Sequence, residues 1–125
     1  MWMRHLLHSQ LLWRCLFYPL AAFILFLAAS PNAYPIPSSS WDKVNHFAAF
    51  LVLAILLDRA HQRLGLAGIL IALGALGMTI EVIQYFLPYR DFSLLDWLAD
   101  MTGVVLGLAL VKLALAAHRR WSVSW

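Results

Sequence analysis

The chain has 125 residues, 63% of them hydrophobic and only 12% charged, which is more apolar than a soluble domain of that length can conceal. These figures exclude a water-soluble globular fold and point to an all-α integral membrane protein, a single-domain bundle of four transmembrane helices. The formal net charge of +3 would suit nucleic acid in a soluble protein. Here the basic residues sit at the ends of apolar segments, where membrane topology accounts for them, and no nucleic-acid partner is expected.

The first apolar segment runs from about 11 to 29, with Arg14 near its start and Pro19 inside it, a proline that neighbouring helices can support. A secretory signal peptide is the alternative reading, because Arg4 and Arg14 precede a short apolar core that ends in Ala28, Ala29 and Ser30. Cys15, the single cysteine, has no partner for an intramolecular disulfide and reads as a small packed side chain. Residues 31–40 contain Pro31, Pro35, Pro37 and three serines, a composition for an extended, solvated loop.

The second segment, about 41–57, is short for a span and leads into a polar turn containing Asp58, Arg59, His61, Gln62 and Arg63. The third and fourth segments, about 64–87 and 94–117, are joined by the tight polar connection 88–91, which makes them antiparallel neighbours. Tyr34 and Trp41, with Tyr85, Phe86, Tyr89, Phe92 and Trp97, mark one membrane interface. Arg4, Arg14, Arg59, Arg63, Lys112, Arg119 and Arg120 fall on the opposite side, against Lys43 and Arg90 on the aromatic side. The basic side is the cytoplasmic one, which places both termini in the cytoplasm. His5, His8, His61 and His118 then sit in solvated cytoplasmic ends.

Acidic residues divide the other way: Asp42, Glu81, Asp91, Asp96 and Asp100 lie in the outer half, with Asp58 alone on the cytoplasmic side. Glu81 and Gln84 share a helical face that Gly74 and Gly77 continue. Asp96, Asp100, Gly103 and Gly107 form a second such face, and the four glycines suit close helix packing. Glu81 and Asp100 both lie roughly 9 Å inside their helix ends at about 1.5 Å per residue, so they meet at one level. His46, after Asp42 and Lys43, reaches the same level from a third helix. The expected result is an outward-open pocket of carboxylates, imidazole and amide with the cations Lys43 and Arg90. Ionisable groups at membrane depth ordinarily face a cavity or a partner. A purely structural network, Lys43 with Glu81 or Asp100 and Arg90 with Asp96, is the alternative.

His46 has no HxxxH or HExxH companion, so no metal and no cofactor is expected, although a mixed His46, Glu81 and Asp100 set is geometrically open. No P-loop, GxSxG or dinucleotide fingerprint is present.

Two blocks carry a resemblance: Asp42-Lys43-x-x-His46-Phe47-x-x-Phe50, and Glu81-x-x-Gln84 followed by Arg90-x-x-Ser93-x-x-Asp96-x-x-x-Asp100-x-x-Gly103-x-x-x-Gly107. In order and spacing these blocks resemble the VanZ-like family of small bacterial membrane proteins. The resemblance implies a multi-pass protein of the bacterial cytoplasmic membrane with a link to the cell envelope or to glycopeptide (teicoplanin) tolerance. The family often has asparagine where this chain has Asp100, so hydrogen bonding there suffices.

The leading functional expectation is binding or modification of an anionic lipid or lipid-linked envelope component by Asp42, Lys43, His46, Glu81, Gln84, Arg90, Ser93, Asp96 and Asp100. Lys43 and Arg90 would meet phosphate, and the acidic and amide groups would hold hydroxyls or amides. Alternatives are an acid/base enzyme using His46, Glu81 and Asp100, with Ser93 a weak nucleophile candidate, proton-linked transport through an oligomer, and a structural or regulatory subunit. Partners on these readings are membrane lipids, a second copy of the chain or another membrane protein.

Overall fold

The computed structural model describes residues 9–31 and 39–123 as four helices, with no strand among the described residues. We label them α1 (Gln10–Ala29), α2 (Ser39–Ala60), α3 (Gly65–Tyr85) and α4 (Leu94–Val123). Arg4, His5, His8, Tyr34, Pro35, Pro37 and the side chain of Trp41 lie outside the described residues, so the expectations placed on them stand apart from the structure. α1, α3 and α4 are long and apolar enough to cross a membrane.

α2 is the innermost helix. It has 22 residues rather than the short expected segment, because it begins at Ser39, inside the expected loop, and because Asp58, Arg59 and Ala60 continue the helix instead of forming a turn. Its apolar stretch after His46 supplies Phe50, Leu53, Ala54 and Leu57 to the core, where they meet Phe17 of α1, Leu73 of α3 and Val104 of α4. The other helices present their outer faces, including Phe23, Phe26, Ile71 and Leu113, to the surroundings, as a bundle bathed in lipid requires. Cys15 lies on that exposed surface rather than packed inside.

The closest helix pair is α2 with α4, and its geometry follows from two glycines. A Cβ on Gly103 would collide with the carbonyl oxygen of Phe47, and one on Gly107 with that of Leu51. Backbone therefore lies against backbone, a contact open only to residues without a side chain. Gly74 is different: its Cβ would meet Met101 Sδ at an ordinary 3.5 Å.

Each end of the α2–α4 pair is also held by charge. At the far end Lys112 Nζ donates to Asp58 Oδ1 at 2.9 Å, and Arg59 Nε donates to Asp58 Oδ2 at 3.3 Å. Arg14 closes the same end by donating to the carbonyl of Ala60 at 3.0 Å, satisfying one of the carbonyls a helix leaves free at its last turn. His61 is half-buried there at 2.8 Å from the Tyr18 hydroxyl instead of being solvated.

α3 ends at Tyr85, two residues before the expected boundary, and α4 runs on past 117 to Val123. The α3–α4 connection is accordingly longer than the tight turn expected, and its residues are put to use at the site.

Candidate functional site

At the end of the bundle where α1 and α3 finish and α2 and α4 begin, three helices converge on one acidic cluster. α2 brings Asp42, Lys43 and His46 on one face, α3 brings Glu81, and α4 brings Asp96 and Asp100 one turn apart. The ring Nδ1 of His46 lies 2.8 Å from Asp100 Oδ1, and Lys43 Nζ pairs with Asp96 Oδ1 at 3.5 Å. Ligand atoms of His46, Glu81 and Asp100 lie within 4.8 Å of one another, and the same holds for Asp42, His46 and Asp96. The structure thus gathers six of the nine residues expected to contact a ligand.

The cluster is closed where an open pocket was expected. Side-chain exposure falls from 35% at Lys43 to 10% at His46, 7% at Asp96 and 0% at Asp100, and Glu81 is also 0% exposed. Close packing against α3 produces the closure, because Gly77 lets the Asp100 carboxylate press in: a Cβ there would stand 2.7 Å from Oδ2. Lys43 covers the mouth.

Within this buried cluster the acceptors outnumber the donors. Glu81 Oε1, Asp96 Oδ1 and Asp100 Oδ2 are buried without a hydrogen-bond partner among the described residues. A buried acceptor without a partner costs on the order of 1–3 kcal/mol, more when charged. Lys43 answers Asp96 Oδ1 as an ion pair at 3.5 Å.

The other three expected ligand contacts are occupied in the fold. Ser93 is the N-cap of α4: its Oγ accepts from the Asp96 N–H at 3.3 Å, and its own N–H donates to Glu81 Oε2 at 2.8 Å. This is a capping box in which a glutamate from another helix replaces the usual residue three positions on. One Glu81 oxygen therefore has a structural task and the other has none.

Gln84 and Arg90 face α1. The α1 helix stops at Ala29 before Pro31 without a glycine cap, so its last carbonyls need outside donors. Gln84 Nε2 donates to Ala28 O at 3.1 Å and Tyr89 Oη to Ala29 O at 2.7 Å. Arg90 Nη2 donates to Leu27 O and Ser30 O, each at 3.1 Å, and Nε to Ser30 O at 3.3 Å. A cation at a helix C-terminus also answers the helix dipole. Arg90 is thus committed to α1, away from the expected pairing with Asp96. Its replacement, Arg90→Ala, should lower stability by about 2 kcal/mol through loss of α1 docking. Protease cleavage of the 31–38 connection in detergent should then accelerate, while Arg90→Lys restores part of the protection.

Trp97 was read only as an interfacial ring, yet its Nε1 donates to Gly74 O at 3.0 Å and fixes α4 against α3 beside the cluster. Its indole N–H, set directly after Asp96 near the start of an apolar segment, was the available indication.

Among curated proteins, an uncharacterized protein of Schizosaccharomyces pombe is 35% identical over 100 residues, a stretch covering 73% of this chain and 60% of that protein. The chain therefore spans less than two thirds of that relative. No solved structure gives a significant match. The VanZ/LLP1 family profile matches residues 4–115, which include both sequence blocks and every residue of the cluster, and the chain belongs to the VanZ/LLP1 family.

Proposed function

We propose that the cluster of α2, α3 and α4 is a headgroup site for an anionic lipid or lipid-linked envelope component, entered from the membrane face at which α1 ends. The observation that supports it most directly is the surplus of buried acceptors beneath a half-exposed lysine. Lys43 meets phosphate at the mouth, a role it now carries without Arg90. The carboxylates of Asp42 and Asp96 take hydroxyl or amide donors of the headgroup. Apolar outer faces of α1, α3 and α4 accommodate the chains of such a ligand.

The basic ends of α1, α2 and α4 favour the cytoplasm, which supports a reading in which the cluster faces the outer leaflet of a cytoplasmic membrane. Glycopeptide tolerance is one setting for such a site. The relative in fission yeast supports a ligand class wider than bacterial wall precursors alone.

Modification as well as binding has one observation in its favour. A buried carboxylate at 2.8 Å from Nδ1 orients His46 and leaves Nε2 as the second ring nitrogen, the arrangement of an oriented general base.

Native mass spectrometry of protein extracted with bacterial lipid separates the outcomes. Wild type and Lys112→Ala, which alters a cation at the far end, should retain the same anionic or lipid-linked species. Lys43→Ala should lose it by about tenfold or more, the loss of about 1.4 kcal/mol of binding. Equal retention by all three proteins would tell against the headgroup reading.

A further inference from the structure

We infer that His46, Glu81 and Asp100 form a binding site for one divalent transition-metal cation of the Mn2+ to Zn2+ series. His46 comes from α2, Glu81 from α3 and Asp100 from α4, and their ligand atoms lie within 4.8 Å of one another. The ion would therefore bridge three helices.

Charge is the first support. Four carboxylates, Asp42, Glu81, Asp96 and Asp100, surround His46 in two overlapping triads, and the compensating side chains facing them are Lys43 and His46 itself. Isolated buried carboxylates are costly and are ordinarily paired or metal-bound. Arg90, the other cation of this end, is held by the carbonyls of α1.

The second support is independent of charge. Glu81 and Asp100 are fully buried, and each has one oxygen already placed, Oε2 on the Ser93 N–H and Oδ1 beside His46 Nδ1. The remaining oxygens, Oε1 and Oδ2, are the orphans. Each carboxylate is thus oriented by one oxygen and keeps the other without a hydrogen-bond partner among the described residues, as a ligating carboxylate held by its outer contacts would. Asp42, His46 and Asp96 form the competing triad, but Asp96 Oδ1 is paired with Lys43, so the buried triad takes the ion.

Ligand chemistry selects the metal class. An imidazole nitrogen suits Zn2+, Fe2+ and neighbouring ions, carboxylates suit Mn2+ and Mg2+, and a mixed set favours transition ions over Mg2+. Three protein ligands leave open positions on the ion, available to water or to a phosphate oxygen.

The ion site uses the same cluster as the headgroup reading but does not depend on it, and the two fail separately. Metal content is read in lipid-free detergent, whereas the Lys43→Ala lipid comparison is run in chelator.

Full-length protein stripped with chelator and dialysed against Mn2+, Zn2+ or Mg2+ should take up about one equivalent of Mn2+ or Zn2+ per chain by elemental mass spectrometry. Glu81→Gln, Asp100→Asn and His46→Gln should each weaken uptake by about tenfold or more, while Asp58→Asn at the far end should not. In wild type alone, added Mn2+ or Zn2+ should raise the thermal midpoint, a readout that needs no variant to fold. Uptake below half an equivalent, uptake unchanged in all three cluster variants, or binding confined to Mg2+ would overturn the assignment.

Discussion

Gly103→Ala is expected to push α2 away from α4 and to destabilise the protein by about 3 kcal/mol, the upper part of the range for overpacking a tight interface. The added methyl would point at the Phe47 carbonyl and stand 3.1 Å from the Leu51 nitrogen, both backbone atoms with no rotamer to yield. Separation of the helices also pulls His46 from Asp100, because the one lies a residue before Phe47 and the other three residues before Gly103. Gly74→Ala is the matched control. Its methyl meets Met101 Sδ at 3.5 Å, so the ordinary helix-propensity gain of up to about 1 kcal/mol should remain. Thermal unfolding followed by size-exclusion chromatography of the two variants measures the contrast. Equal midpoints would show that the α2–α4 contact is looser than described.

His46→Ala should be comparably damaging, by about 3 kcal/mol, since removing one partner of a buried pair leaves the other charge without compensation. Asp100 lies 2.8 Å from the ring Nδ1 of His46, its hydrogen-bond partner among the described residues, and is fully buried. The loss should shrink when Asp100→Asn is added, because the stranded charge disappears with it. Glu81→Gln in chelator should have the opposite sign. Its oxygen can still accept the Ser93 N–H, and the amide replaces an orphaned acceptor with a donor among acceptors. A gain on the order of 1 kcal/mol follows. These opposite signs distinguish a cluster maintained for a ligand from a network maintained for stability, in which every member would destabilise on removal.

Much of the cluster was legible before any coordinates. Helical spacing put Asp96, Asp100, Gly103 and Gly107 on one face, and the rise per residue put Glu81 at the level of Asp100. Both rest on local geometry, which sequence encodes directly. Arg90 and Gln84 were read toward a ligand because a guanidinium or amide that binds main-chain carbonyls is chemically the same as one that binds a phosphate or a hydroxyl. Their partners lie on α1, 56 to 63 residues away in sequence. The absence of a glycine cap before Pro31 was the local indication that α1 needed further donors from elsewhere. Closure of the pocket was not legible either, since it arises from Gly77 admitting the Asp100 carboxylate and from Lys43 lying over the mouth. Helix limits shifted for a similar reason: Asp58 and Arg59 read as a polar turn, but pairing with Lys112 keeps them helical.

The central claim is that the orphaned oxygens at the base of the cluster serve a ligand and not the fold. The most direct measurement is a paired one on Glu81→Gln: its unfolding midpoint in chelator and its retention of Mn2+ or Zn2+ in replete buffer. The account predicts a midpoint at or above that of wild type together with loss of retention. A lowered midpoint with retention intact would contradict it and leave Glu81 a structural residue.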